Sequence, residues 1–494
     1  MKPAPSVYAA RAVVQALAAA GVREVVLSPG SRSAPLAYAL ADAAREDRPA
    51  GAPAVVVHVR LDERDAAFLA LGIAKAAAAA GQPRPVAVVT TSGTAVGNLV
   101  PAVLEAHHSG TPLLLLTADR PPSLRGTGAN QTTGQPGLLE PAVRLTLDLV
   151  VGHDELEDMA AGMREAVTLA ARTALSDLDP GPVHVNLAFD DPLVPGDEPW
   201  PADPSAAEDA PASGPIHFGF VGGARVPGPP EAESGQVSAE PGGAPELPDG
   251  PPTVVVAGDG AGARARELAE ARGWPLLAEP TSGARGGPHV VSAYRLLLDA
   301  WPGALEVRRV VVIGRPTLSR PVARLLARDD VEVIRVQRPS AAWPDAGRSA
   351  DVLLAELPDA WLRASSHGSE WLDRWVSAGE TALRIVREEC AVADGEGRAV
   401  PRMTGVALAD LVARASAPGD VLVVGSSNPV RDLDLVAQWS SAPLVIANRG
   451  LSGIDGMTAS AAGVALTLPD RVVRAVVGDL TFLHDVGGLL TGTL

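Results

Sequence analysis

A second cysteine is missing from this 494-residue chain: Cys390 stands alone, so no internal disulfide can form, and no metal-ligand spacing surrounds it. Also missing is any excess of positive charge. The 41 lysines and arginines are outnumbered by 58 aspartates and glutamates, for a formal net charge of -17. A field of that sign repels phosphate backbones and argues against nucleic acid as a partner. No uninterrupted apolar run approaches the roughly 18 residues that a membrane helix needs. The opening MKPAPSVYAARAVV has no apolar core followed by a cleavage site. These absences imply a soluble, cytoplasmic protein with no membrane insertion. Any anionic substrate must then be captured by local arginines, against the overall charge.

What is present is globular material, 47% apolar and 20% charged. A chain of this length exceeds one hydrophobic core, and about two to four domains are expected. EVVLS (24–28), AVVVHV (54–59), VAVVT (86–90) and PLLLLT (112–117) read as buried strands. They are rich in Val and Leu without polar alternation, as when both faces of a sheet are covered. Ala-rich, helix-length stretches such as 66–80 lie between them, which predicts a parallel α/β sheet over residues 1–200. Residues 201–252 are dense in Pro, Gly, Ala and Glu and read as a solvated linker or inserted loop. A second α/β unit spans 253–394, with strands at 253–258, 307–314 and 331–336. A third spans 395–494, with strands at 421–427, 443–448 and 472–479.

In open parallel sheets, sites form beyond the carboxyl ends of strands. SPGSRSAPLAYAL (28–40) places a tight turn at Pro29 and Gly30, then opens a helix with Ser31, Arg32 and Ser33. A helix amino terminus with an arginine suits a carboxylate or phosphate, and equally reads as a capped helix with a surface arginine. Glu63 sits where a strand becomes a helix, a position that also serves helix-dipole electrostatics alone. TTSGTAVGNLVPAVLEAHHSGTPLLLLTADRP (90–121) sets small residues where backbone must approach a ligand or a second subunit. His107 and His108, near that helix's end, read as solvated or dipole-stabilising. LRGTGANQTTGQ (124–135) offers Arg125, Asn130, Gln131 and Gln135. Further on, Arg431 and Arg449 each follow a strand, and Asp479 ends one after Gly478. That aspartate suits a metal ion, though a single aspartate there is also a common helix cap. VVVAGDGAGARARELAEA (254–271), with Glu279 after the next strand, approaches a dinucleotide fingerprint. Gly258, Gly260 and Gly262 miss the required spacing, and a structural turn is the better reading.

In this order the segments SPGSRSAPL, RLDERDAAFLALG, TTSGTAVGNL with TADRPP, GTGANQT, SSNPVRDLD, NRGLSGIDG and GDLTFLHD resemble one family. It is the thiamine-diphosphate-dependent carboligases of menaquinone biosynthesis, the 2-succinyl-5-enolpyruvyl-6-hydroxy-3-cyclohexene-1-carboxylate (SEPHCHC) synthases. The resemblance is strong over 1–200 and 400–494 and weak in the middle. It implies three parallel-sheet α/β domains of the thiamine-diphosphate-enzyme type: pyrimidine-binding, central Rossmann-like, and diphosphate-binding. It also implies a homodimer or homotetramer whose active sites lie at the subunit interface.

The implied reaction decarboxylates 2-oxoglutarate and adds the remaining four-carbon unit to isochorismate. By resemblance, Glu63 hydrogen-bonds the cofactor's aminopyrimidine and favours the tautomer that activates the thiazolium carbon. Ile454 wedges the cofactor into its bent shape, with Gly30, Ser31 and Gly478 also against it. Arg431 and Arg449 bind donor carboxylates, Arg32, Arg125 and Gln131 face isochorismate, and Ser427 lies beside the intermediate. Arg320 is a further contact. Guanidinium suits two dicarboxylate substrates because it grips a carboxylate in a bidentate fork. Asp479 carries the magnesium (or manganese) ion, and the resemblance places a second, Asn-containing ligand turn further along than Leu494, where this sequence stops. The expectation is therefore an incomplete last domain and a chain that binds cofactor weakly and turns over little. Two alternatives remain open: another carboligase or decarboxylase of 2-oxo acids, of the acetohydroxyacid-synthase kind, and a non-catalytic interaction subunit.

Overall fold

The computed structural model of the chain describes residues 4–152, 155–196, 198–202, 219–221, 247, 250–337, 350–363, 370–393, 399–401 and 403–490. The linker expected at 201–252 lies mostly outside them, as does the boundary expected at 394–395. The chain forms two compact units. One comprises Met1–Val226, Gly450–Asp470 and Asp479–Leu494, the other Pro227–Arg449 and Arg471–Gly478.

In the first unit, seven strands make one sheet: β1 (Glu24–Leu27), β2 (Val56–Val59), β3 (Val86–Thr90), β4 (Leu113–Asp119), β5 (Thr146–Val150), β6 (Val183–Ala188) and β7 (Gly219–Val221). Their order is β2-β1-β3-β4-β6-β5-β7. All neighbours are parallel except β5 and β7. Every residue of β3, β4 and β6 is buried. Successive side chains point to opposite faces, so one apolar run feeds two cores. Val25, Leu27, Ala87, Val89, Leu114 and Leu116 pack on one face with helices Pro5–Ala19, Ala34–Ala44 and Leu156–Ala174. Val26, Val86, Val88, Leu113 and Leu115 pack on the other with helices Glu63–Ala79 and Val100–Ser109. Helix Met457–Thr467 joins this unit by lying against Glu63–Ala79. Glycine makes that approach possible. A Cβ on Gly72 would stand 2.1 Å from the Ser460 carbonyl oxygen, and one on Gly463 would stand 2.2 Å from that of Leu69.

The second unit holds two parallel sheets. β8 (Thr253–Ala257), β9 (Leu276–Ala278), β10 (Arg309–Ile313), β11 (Glu332–Val336) and β12 (Val352–Leu354) run in the order β12-β11-β10-β8-β9. A short antiparallel pair follows, β13 (Ala391–Ala393) with β14 (Ala399–Pro401). Then β15 (Val421–Val424), β16 (Leu444–Ile446) and β17 (Val473–Val476) form a sheet in the order β16-β15-β17. The expected parallel α/β class is borne out, and each strand read from an apolar run is present. A buried ion pair ties the two sheets' loops together. Arg285, after β9, meets Asp434 of helix Asn428–Val436 at 3.0 Å and also donates to the carbonyls of Ala278, Asp434 and Ala437. Tyr294 donates its hydroxyl to the same Asp434 at 2.9 Å. Both side chains are buried, and burial outweighs the hydrogen bonds at Asp434: its carboxyl is pushed above the usual range and its Oδ2 has no hydrogen-bond partner.

Candidate active site

At the carboxyl ends of adjacent strands β1 and β3, three buried hydroxyls, Ser28, Thr90 and Ser92, have no hydrogen-bond partner. Buried polar groups are normally paired, so this rim is suited to receive polar atoms of a ligand. The adjoining turns touch one another. A Cβ on Gly30 would meet the Thr91 side chain at 2.5 Å. Ser33 Oγ accepts from the Gly30 amide at 3.1 Å and fixes the turn that carries Ser31. Gly93 has φ +81°, and a Cβ there would come within 3.3 Å of Gln131, itself at φ +55°. A left-handed glutamine is costly backbone of the kind that marks a functional loop.

Arg32 is buried and donates to the Phe189 carbonyl at 2.9 Å. Burial and then the neighbouring Arg120 pull its pKa below the usual arginine value. A desolvated guanidinium held by a carbonyl is prepared for an anion. Arg125 is engaged differently. It grips Asp148 at 2.6 and 2.9 Å and meets Asp119 at 2.9 Å. Asn186 donates to both carboxylates, and Gln135 donates to Asn186 and accepts the Gly93 amide. Burial pushes the Asp148 carboxyl up, but hydrogen bonds from Arg125 and Asn186 outweigh it and hold the pKa below the usual range. A substrate carboxylate at Arg125 must therefore compete with two resident ones.

Glu63 is the first residue of helix Glu63–Ala79, whose cap is Asp62 accepting from the Arg64 amide. Its Oε2 accepts from Asn98 Nδ2 at 3.0 Å, so the strand-to-helix turn is aimed by the last residue of the short helix Thr94–Asn98. Two residues on, the buried Asp65 is hydrogen-bonded to the buried Asp485. Asp485 Oδ2 accepts the amides of Thr458 and Ala459 at 2.6 and 2.9 Å. Burial, then the bond to Asp485 and its charge, push the Asp65 pKa to about 7. On the same unit, the buried Glu105 accepts from Lys75 at 3.1 Å and from the amides of Gly450, Leu451 and Ser452 at 2.7, 2.7 and 3.4 Å. It thereby holds the turn that leads to the half-buried Ile454. His107 does not act as a helix-end cation. Burial and then Arg144 push its pKa down to about 4, so the ring is neutral at pH 7.

In the second unit, Ser427 occupies the position just before helix Asn428–Val436 without a side-chain capping bond, and Arg431 is exposed on that helix. Arg449 is buried and donates to Thr317 Oγ1 at 2.5 Å. Arg320 is exposed at the start of helix Arg320–Leu326. Gly478 ends this unit, and Asp479, in the first, is exposed at the start of helix Asp479–His484 with Oδ1 accepting the Leu480 amide at 2.8 Å. Among the described residues no group of three or more His, Cys, Asp or Glu could hold a metal ion. The glycine-rich turn after β8 serves the protein. A Cβ on Gly258 would stand 2.1 Å from the backbone of Arg315 and Pro316. Glu105, Asp65, Asp485 and Asn98 lie within the segments quoted above without being singled out there.

A strand-end glutamate, a rim of unsatisfied hydroxyls and the buried Arg32 beyond the carboxyl ends of one parallel sheet are the features of a ligand-binding α/β enzyme. Residues 8–137 match the family model described as thiamine pyrophosphate enzyme, N-terminal TPP binding domain. The 2-succinyl-5-enolpyruvyl-6-hydroxy-3-cyclohexene-1-carboxylate synthase of Kineococcus radiotolerans is 46% identical over 503 residues, covering 98% of this chain and 80% of that protein. The Paenarthrobacter aurescens protein of the same name is 45% identical over 491 residues, covering 99% and 78%. That of Mycobacterium avium is 40% identical over 499 residues, covering 99% and 81%. The chain belongs to the 2-succinyl-5-enolpyruvyl-6-hydroxy-3-cyclohexene-1-carboxylate synthase family. Among its described residues no helix is long and apolar enough to cross a membrane.

Proposed function

We propose that the protein joins the four-carbon remainder of 2-oxoglutarate to isochorismate with loss of carbon dioxide, in the cytoplasm, as a step of menaquinone biosynthesis. The observation that carries this reading is the set of arginines at strand ends, Arg32, Arg431 and Arg449, in a chain of net charge -17. Cations placed against so negative a background answer a dicarboxylate better than they answer pyruvate, which has one carboxylate. When bound, thiamine diphosphate supplies the electron sink for decarboxylation. Glu63 holds its aminopyrimidine by a hydrogen bond, the Asn98 contact fixing which carboxylate oxygen points outward. The turn of Gly30 and Ser31, with the unsatisfied Ser28, Thr90 and Ser92 hydroxyls, lines the polar rim beside it.

Ile454 packs against the cofactor's apolar edge, and Gly478 lets its diphosphate approach the backbone. Asp479 gives one ligand to magnesium or manganese. Arg431 and Arg449 bind the carboxylates of the donor, beside Ser427, while Arg32, Arg125 and Gln131 receive isochorismate. The working assembly is a homodimer, or a tetramer of such dimers, with sites at the subunit interface. The test is consumption of 2-oxoglutarate with thiamine diphosphate and magnesium, with and without isochorismate. Formation of adduct that requires isochorismate and is lost in Glu63→Gln supports the reading. Preference for pyruvate would replace it with an acetohydroxyacid-synthase-like activity. Indifference to thiamine diphosphate in a binding titration would leave an interaction subunit.

A further inference from the structure

Glu279 stands where a dinucleotide fold would place its ribose-binding acid, and the structure uses it elsewhere. It is buried at the end of β9, and its Oε1 accepts the amides of both Thr317 and Leu318 at 2.8 Å. Those residues belong to the turn after β10 that follows Pro316, where the backbone is already pressed against Gly258. Thr317 in turn accepts Arg449 Nη2 on its side-chain oxygen at 2.5 Å. One carboxyl therefore fixes two consecutive amides, and the first of these residues fixes a guanidinium. Its second oxygen, Oε2, is buried without a hydrogen-bond partner, so the group is not held in place for its own solvation.

We propose that Glu279 and Thr317 are positioning residues that aim Arg449 at the distal carboxylate of the 2-oxo acid, and so set the preference for a dicarboxylate donor. The inference rests on the assignment of Arg449 as a donor-binding arginine. A long, flexible side chain left to itself samples several rotamers, and fixing it beforehand removes an ordering cost from substrate binding. The hydroxyl accepts and does not neutralise, so this contact orients Arg449 without cancelling its charge. A carboxylate in the place of Thr317 would compete with the substrate for that charge, as Asp148 and Asp119 do at Arg125. Without its acceptor, the turn at 317–318 loses both amide bonds, and the oxygen beneath Arg449 moves with it.

The experiment compares Glu279→Leu, Glu279→Gln, Thr317→Val, Thr317→Ser and Arg449→Ala in the thiamine-diphosphate- and magnesium-loaded protein. Steady-state KM and kcat are measured for 2-oxoglutarate and for 2-oxobutyrate, which lacks the distal carboxylate. Calorimetric titration of 2-oxoglutarate without cofactor gives an affinity independent of turnover. Thr317→Val and Glu279→Leu should raise KM and Kd for 2-oxoglutarate about 10- to 100-fold, the scale of one hydrogen bond to a charged group. They should leave kcat and the 2-oxobutyrate KM near the parent values. Thr317→Ser and Glu279→Gln keep the accepting oxygens and should restore 2-oxoglutarate binding at pH 7. Should Glu279→Leu fail to fold, the Thr317 pair decides. Equal losses for both 2-oxo acids, or no loss in Thr317→Val while Arg449→Ala is impaired, would overturn the positioning role and leave the donor assignment intact. No effect of Arg449→Ala on 2-oxoglutarate would overturn both.

Discussion

Glu105 accepts the amide of Gly450 at 2.7 Å across 345 residues of sequence. With Leu451 and Ser452 it completes a nest of three consecutive N–H groups around one buried carboxylate, and Lys75 balances the charge. Burial pushes this carboxyl up, but Lys75 and the Leu451 and Gly450 amides outweigh it and hold the pKa below the usual range. Stability from this group is therefore present above the ordinary glutamate pKa and is lost as pH falls through its lower folded value. Glu105→Leu removes the buried acceptor of three amides and the anionic partner of Lys75, at a cost of about 3–5 kcal/mol. Hydrogen exchange at Gly450, Leu451 and Ser452 should accelerate by two orders of magnitude or more, whereas Glu105→Gln should accelerate it less. Unchanged protection in the leucine variant would show that the nest does not hold the turn.

A second carboxyl pair gives the opposite pH dependence. Asp65, pushed up to about 7 by burial and by Asp485, keeps its proton in the fold at pH values where an unfolded aspartate has lost it. Stability thus falls as pH rises from the ordinary aspartate range to about 7, and is level above. Asp65→Asn retains a donor towards Asp485 and removes the titration. Its melting temperature should match the parent's near pH 4 and exceed it increasingly up to pH 7.5. Parallel curves for the two proteins across that range would show that Asp65 does not hold the extra proton.

How much of this is legible in the residues can be argued strand by strand. β1, β3, β4, β8 and β10 are readable because each carries an unbroken run of three or more apolar residues, as a strand covered on both faces requires. β6 is not, although it is fully buried, because VHVNLA carries His184 and Asn186. Their side chains bond to Thr117, Asp119, Asp148 and Gln135, partners that exist only after β4, β5 and the 124–135 loop assemble. Glu63 and Arg449 stand out in the sequence because strand ends face the site in any open parallel sheet. Glu105, Asp65 and Glu279 do not, because a buried carboxyl is defined by what it meets, and no local spacing encodes that. Glu279 looks like a ribose ligand from the spacing of its neighbours, and only the amides at 317 and 318 show its role.

The same Glu279 predicts a pH profile. Burial, the largest influence, pushes its carboxyl up to about 8, against the amides of Leu318 and Thr317. The charged groups facing it are Asp434, which raises it, and Arg449, which lowers it. Tyr294 is close enough to feel its charge, and Arg285 is paired with Asp434. Below about 8 the neutral acid leaves the Arg449 charge to the donor; above it, a carboxylate competes for that charge. KM for 2-oxoglutarate should therefore rise on passing from pH 7 to pH 9, and Glu279→Gln should remove the rise. A 2-oxobutyrate KM that follows the same curve would place the titration elsewhere.

Glycine tests the helix pairing that closes the first unit. In a free helix, Gly→Ala stabilises by about 1 kcal/mol, because alanine loses less backbone entropy. Gly97 has open space where a Cβ would sit, with nothing within 4 Å, and Gly97→Ala should be neutral or mildly stabilising. Gly72 has the Ser460 carbonyl oxygen 2.1 Å from where a Cβ would sit, backbone that cannot move without shifting helix Met457–Thr467. Overpacking of this kind costs about 1–3 kcal/mol, enough to reverse the propensity gain. The sign is therefore the readout. The melting temperature should fall in Gly72→Ala and hold or rise in Gly97→Ala. The contact also predicts faster hydrogen exchange at Ser460 and its neighbours in the first variant only. Stabilisation of both variants would mean that the two helices do not pack at this distance in solution.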